Sequence, residues 1–147
     1  MSFLATIAAV ACMTGCGGGQ GSRRSSEPQR YSKAAFVACV HKDGAVIHDI
    51  SKPRSRADKL LAEVFSPIAP NFVAARFSDG EFVGIAFAAD PTGAGRILDR
   101  FKKLARQPGT TVGRLTLRGN IVLLTNKHAT VAVAKALRGC EADSIIR

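Results

Sequence analysis

Two turn signals constrain the fold of this chain more than any other feature. They are Ser78-Asp79-Gly80 and Gly119-Asn120, each lying between two β-rich runs. Asn71 to Phe77 and Phe82 to Ala88 flank the first; Thr111 to Leu117 and Ile121 to Thr125 flank the second. Each unit predicts a β-hairpin, and each turn selects a register. In the first, a two-residue Asp-Gly turn pairs Phe77 with Phe82 and puts Arg76 on the face of Val83, Ile85 and Phe87. A three-residue loop with Gly80 left-handed pairs Phe77 with Glu81 instead, so that Val73, Ala75 and Phe77 share that face. The second arrangement is expected, because it puts no arginine into an apolar layer. In the second hairpin a two-residue Gly-Asn turn places Leu115 and Leu117 on one face with Val122 and Leu124.

Helical periodicity fills the intervals. Ser32 is a candidate N-cap for a helix running to about Lys42, stopped by Gly44. A short β-rich stretch, Ala45 to Ile50, follows it. Ser55-Arg56-Ala57-Asp58 reads as a capping box with Asp in place of Glu, opening a helix whose expected inner face is Ala57, Leu60, Leu61 and Val64. Pro67 and Pro70 end that helix. Asp90-Pro91 caps a third, with Ala94, Ile97, Leu98, Phe101, Leu104 and Ala105 inside, and it ends before Pro108-Gly109. A last helix is expected from about Ala129 to Cys140. The order α-β-α-ββ-α-ββ-α defines an α+β fold with an antiparallel or mixed sheet of two hairpins linked by a crossover helix. A strand, a helix and a strand imply a right-handed crossover and one parallel pair. The helices are expected on one face of the sheet.

The chain ahead of this domain has a different character. Phe3 to Met13 is an uncharged, mostly apolar run, too short to span a bilayer but suited to the h-region of a secretory signal. Met13-Thr14-Gly15-Cys16, followed by Gly17-Gly18-Gly19, resembles the lipobox of bacterial lipoproteins. In that family a small residue precedes a cysteine that is acylated, with palmitate among its acyl groups, and that becomes the mature N-terminus. Met13 stands where leucine is usual, and no Lys or Arg precedes the apolar run. The resemblance implies a signal peptide at 1–15, lipidation at Cys16, and a place on the extracytoplasmic side of the cell membrane. Two other readings stand beside it. One is plain cleaved secretion; the other is an ordinary cytosolic N-terminus in which Cys12 and Cys16 form a Cys-x-x-x-Cys pair. With no second pair at ligand spacing, that pair is a sparse metal signal. Residues 16–30 are rich in Gly, Ser, Arg and Gln and carry no large apolar side chain, so they read as a flexible tether. A single domain is expected over 31–147.

Export changes the meaning of the remaining cysteines. With the leader removed and Cys16 acylated, Cys39 and Cys140 are left, and an oxidising compartment favours their pairing. Each sits on an apolar stripe at helical spacing: Phe36, Cys39, Val40 in the first helix and Val133, Ala136, Leu137, Cys140 in the last. The terminal helices are therefore expected to pack together and to be bridged; the alternative is two buried free thiols. The arrangement looks like that of small actinobacterial exported proteins with a terminal-helix cysteine pair, a likeness that brings no activity with it.

The formal charge of +10 is concentrated. Arg96, Arg100, Lys102, Lys103, Arg106, Arg114, Arg118, Lys127, Lys135 and Arg138 face Asp99 alone across residues 96–138, nearly the whole excess. Such a block attracts anionic lipid or an envelope polymer, or is a plain solvated face; export argues against nucleic acid. Arg96, Arg100 and Lys103 recur on the outer side of the third helix, whose inner stripe is needed for the core.

Catalytic and cofactor patterns are sparse. Gly93-Ala94-Gly95 opens a helix after a strand, but Leu98 stands where a dinucleotide fingerprint needs a third glycine, so close helix–sheet packing is the expected role. His41, His48 and His128 stand in no ligand spacing, and His48 and Asp49, as strand neighbours, point to opposite faces. No cofactor or metal is expected. The second sheet face should carry Ala74, Arg76, Gly84, Ala86, Ala88, Arg114, Thr116, Arg118, Ile121 and Leu123, a shallow basic floor; the alternatives to an open binding face are cover by the second helix and a dimer interface. The expectation is a lipid-anchored envelope protein with a non-catalytic binding domain that uses Arg76, Arg114 and Arg118. The alternatives are a passive envelope component held by lipid and charge, and an unrecognised hydrolase.

Overall fold

The computed structural model describes residues 28–126 and 129–146. The signal peptide read at 1–15, the acylation site Cys16, residues 16–27 of the tether and His128 lie outside the described residues. The elements follow in the expected order: α1 (Lys33–Lys42), β1 (Val46–Asp49), α2 (Arg56–Phe65), β2 (Phe72–Arg76), β3 (Phe82–Phe87), α3 (Pro91–Ala105), β4 (Arg114–Arg118), β5 (Ile121–Thr125) and α4 (Val131–Asp143). The fold is α+β. Ser32, Ser55 and Asp90 cap their helices, and the capping box at Ser55 and Asp58 is complete in both directions. Thr130 caps α4 by accepting from Val133 N.

The strand order is β1-β2-β3-β5-β4, and every neighbouring pair is antiparallel. The expected parallel pair is absent from this sheet. β4 runs in the direction of β3, but β5 lies between them. The reason is legible in composition. Ile121, Val122 and Leu123 are all buried, which suits a strand with neighbours on both sides and layers above and below. Arg114-Leu115-Thr116-Leu117-Arg118 alternates, and its charged face belongs at an edge.

Both hairpin registers are as expected. Gly80 has φ of +85°, a left-handed conformation that glycine adopts without a Cβ clash, and Phe77 N donates to Glu81 O at 2.9 Å. Leu115 pairs with Leu124 and Leu117 with Val122.

The layering differs from expectation: helices cover both faces of the sheet. α1 and α4 pack on Val73, Ala75, Phe77, Val83, Ile85, Phe87, Ile121 and Leu123. α2 and α3 pack on the opposite face, against Phe72, Ala74, Ala86 and Val122. The small residues that read as an open floor instead make room for aromatics. Phe72 stacks on Phe65 at a ring separation of 4.3 Å, and Phe101 of α3 closes the group at 6.3 Å from Phe72. Phe65 also sets the rotation of α2. Its inner side is Asp58, Leu61, Ala62 and Phe65, while the expected inner residues Leu60 and Val64 are 55% and 56% exposed. A large aromatic ring and a capping carboxylate outweigh two aliphatics in choosing the buried side.

The two ends of the domain are tied together. Cys39 and Cys140 form a disulfide joining α1 to α4. Tyr31 bridges to Ile145, Ser32 N donates to Ser144 O, and Ile146 N donates to Arg30 O. Asn120, at the β4–β5 turn, is 5% exposed and uses its whole amide. Its Oδ1 accepts from Tyr31 N at 2.6 Å, and its Nδ2 donates to Tyr31 O and Ala88 O. Preceding it, Gly119 lies so close under Gln29 that a Cβ there would strike the Gln29 carbonyl. The N-terminal strap therefore crosses the turn on a surface that only glycine leaves open.

Two measurements check this frame. Asn120→Ala leaves buried main-chain groups of Tyr31 and Ala88 unpaired and should lower unfolding free energy by about 2–3 kcal/mol in urea titrations. Replacing Cys39 and Cys140 together with Ala opens a loop with sequence separation 101 and should cost about 4 kcal/mol by the same measurement, with reductant no longer affecting stability.

Candidate functional site

The expected basic floor divides. Arg76 pairs with Phe82 and stands on the face covered by α2 and α3. Arg114 pairs with Thr125 and Arg118 with Ile121, which places both on the face of α1 and α4. The division comes from the β3–β5 pairing. Ile85 sits opposite Leu123 and Ala86 opposite Val122, so the second hairpin presents its arginine side where the first presents its large aliphatics. Ile121 and Leu123, expected on an exposed floor, are buried under the terminal helices.

What the structure assembles instead is a groove of about 260 Å³ between β4 and α4. Arg114, Thr116 and Arg118 supply the strand wall, spaced by two residues on one face and spanning about 13 Å. Leu123 and Leu137 form the apolar floor, while Arg138 and Glu141, at i and i+3 on α4, supply the opposite wall. The three arginines are exposed, and none lies within 4.0 Å of a carboxylate; the ion pairs among the described residues are Lys33–Asp49, His48–Asp58 and Lys102–Asp99. Burial in this wall pushes the Glu141 carboxyl above its ordinary range, with Arg118 and Arg138 opposing the shift. The same environment, with burial first and the Glu141 charge second, raises the Tyr31 phenol. Arg138 was visible in the sequence only as one of the basic block; its place beside Arg118 depends on α4 packing over β5.

The two histidines among the described residues are engaged locally. His41 Nδ1 lies 3.1 Å from Ala45 O. His48 does avoid Asp49, which turns to the other face and pairs with Lys33 at 2.9 Å. It meets Asp58 of α2 instead, at 2.6 Å. Asp58 also accepts from Arg54 N and Ser55 N through Oδ2, and these bonds, with His48, hold its carboxyl far below the usual range. The pair clamps α2 to β1. The capping box was the available signal, because it fixes Asp58 at a helix start adjoining the strand.

Near the α3 N-terminus, Gly93 N is occupied by Asp90 Oδ1 at 2.6 Å, and an added Cβ on Gly93 would lie 3.2 Å from the Ala88 Cβ. That is the expected close packing at Gly93 alone; a Cβ on Gly95 would meet nothing within 4 Å, so packing does not account for the second glycine. Arg100 of the same helix donates from Nη1 to Ile68 O at 3.3 Å. Asp43 lies beside the Cys39 and Cys140 sulfurs, but those sulfurs are joined to each other and present no thiolate. Among the described residues no helix is long and apolar enough to cross a membrane. No family model, no curated protein sequence and no solved structure matches this chain.

The raised Glu141 carboxyl predicts a pH-dependent penalty. Its neutral form is favoured in the fold, so the stability gained from protonation is present at low pH and is lost as pH rises through the raised value. Glu141→Gln should therefore melt higher than the parent at neutral pH. The difference should vanish as pH falls below the ordinary carboxyl value of 4.5. Thermal melts from about pH 4 to about pH 7 check this.

Proposed function

We propose that this chain is a lipid-anchored protein of the cell envelope, held through Cys16, whose domain is a non-catalytic module for anionic partners. One observation carries the reading. Arg114, Arg118 and Arg138 converge from two elements on a partly apolar groove that holds one carboxylate, Glu141, and among the described residues none of the three is in a salt bridge. A guanidinium presents a planar fork of donors that matches carboxylate and phosphate oxygens, and three such forks over Leu123 and Leu137 suit a ligand with both anionic and apolar parts. Anionic lipid headgroups and acidic envelope polymers both have that chemistry.

The strap favours the membrane surface. Tyr31, where the domain begins, is hydrogen-bonded to Asn120, two residues from Arg118. An anchor at Cys16 would therefore leave the domain at the end where this groove opens, which brings Arg118 towards the headgroups. Electrostatic attraction to anionic headgroups would add to the hold of the lipid anchor and would orient the domain on it.

The Cys16→Ser chain, free of acyl groups, separates the groove from the anchor. It should sediment with vesicles of phosphatidylcholine and phosphatidylglycerol and bind soluble polyglutamate less well, both falling as salt is raised. Arg114→Glu with Arg118→Glu and Arg138→Glu should reduce vesicle binding at least tenfold, while Arg76→Glu, on the other face, should leave it unchanged. Equal losses from the two sets would remove the groove from the reading.

A further inference from the structure

The two edges of the sheet are built differently. β4 carries Arg114 and Arg118 at its ends, the kind of charged guard that keeps an edge from pairing. β1 carries no arginine or lysine, and its one carboxylate, Asp49, is held by Lys33. Its residues are Val46, Ile47, His48 and Asp49, with Val46 59% exposed. Ile50 N donates to Phe72 O, and in an antiparallel ladder the bonded positions alternate. Val46 and His48 therefore point their main-chain groups at β2, while Ile47 and Asp49 point theirs outwards. The Asp49 carbonyl is taken by Lys52 N in the following turn. The outward Ile47 N–H and C=O and the Asp49 N–H make no hydrogen bond with another described loop or side chain.

Beside this edge runs a groove of about 560 Å³, roughly twice the volume of the basic one. Ala34, Val37 and Ala38 of α1 form its wall, and Ile47 its floor. Its charged groups are unequal in their engagement. Asp49 is held by Lys33, and Asp58 by His48 and the helix cap. Lys52 and Arg54 have no carboxylate partner among the described residues. Arg54 lies on the α2 side, since its N–H is bonded to Asp58, which meets His48 on that face.

We infer that β1 and the α1 groove form a docking site for an extended acidic peptide, which adds to the sheet as a sixth strand. Edge addition draws affinity from main-chain bonds and specificity from alternate side chains. Here the two sides of the added strand meet different surfaces. Residues turned towards α1 meet Ala34, Val37, Ala38 and Ile47 and should be small or branched aliphatics. Residues turned the other way come beside Arg54 and should be acidic, with Lys52 near the end of the strand. The site is separate from the basic groove at β4, and the two proposals stand or fall independently.

The test uses the full-length oxidised chain with Cys16→Ser and an acetylated hexapeptide of alternating valine and glutamate. Titration followed by amide nitrogen–proton spectra should shift the Ile47 and Asp49 resonances and protect both amides from exchange. N-methylation of alternate peptide residues keeps every side chain but removes strand donors, and should abolish binding. Exchanging glutamate for lysine in the peptide should weaken binding at least tenfold. Lys52→Glu with Arg54→Glu should weaken the glutamate peptide by a similar factor and restore the lysine peptide, which shows that the variant is folded. Three results would overturn the inference: equal binding of the N-methylated peptide, shifts confined to the Arg114–Arg138 groove, or concentration-dependent protection of the Ile47 amide without peptide. The last would mean that a second copy of the chain occupies the edge.

Discussion

The rest of the structure depends on burying three strands of one sheet on both of their faces. β2, β3 and β5 are apolar at consecutive positions rather than alternate ones, so a single covering layer cannot satisfy them. Two pairs of helices are required, and the chain supplies them from opposite sides of the sequence: the terminal helices for one face, the internal helices for the other. Once both faces are covered, the sheet itself offers main-chain and charged groups only at its edges. Both grooves lie there, one between β4 and α4 and one between β1 and α1. The layering therefore locates the candidate sites before any particular side chain is considered.

Covering a sheet with the first and last helices of a domain carries an entropic cost, because contacts between residues about a hundred apart close a long loop. The chain meets this with several ties at one place. The disulfide joins α1 to α4, the buried Asn120 amide joins the strap to the β4–β5 turn, and Ser144 accepts from Ser32 while its hydroxyl donates to Cys140 O. The Cys39–Cys140 bridge joins the helices that wall the two grooves, and it keeps α4 packed where Arg138 and Glu141 stand opposite Arg118.

Most of the local structure was legible in the sequence because its determinants are local. The caps at Ser32, Ser55 and Asp90, the left-handed Gly80 and the Gly119-Asn120 turn all act within a few residues, and each does in the structure what its residue type implies. The cysteine pairing was legible because each cysteine stands on the apolar stripe of a terminal helix, and the expectation of export pointed the same way. The relation between the hairpins was not. Turn geometry sets register within a hairpin, whereas the pairing of β3 with β5 is a long-range choice, and a shift of one residue exchanges the faces. That one choice moved Arg76 away from Arg114 and Arg118. The rotation of α2 escaped for a related reason: Leu60 and Val64 fit an apolar stripe as well as Leu61 and Phe65 do, and partners distant in sequence, Phe72 for Phe65 and His48 for Asp58, decide between them.

Charge placement follows the same division between local and long-range determinants. The basic block of residues 96–138 is continuous in sequence but not in space. α3 carries Arg96 and Arg100 on the side of α2 and α3, while Arg114, Arg118 and Arg138 gather on the other side, at the end where the N-terminal strap arrives. A charge excess spread evenly over a domain of this size would attract anions in every orientation. Divided in this way, and with one cluster beside the strap, it makes orientation part of the attraction. Under the proposed anchoring at Cys16, the cluster beside the strap would meet the anchoring surface at the highest effective concentration and would turn the β1 edge away from it. The proposed extended partner would then meet β1 at the far edge, so that the two grooves on opposite sheet edges would not compete.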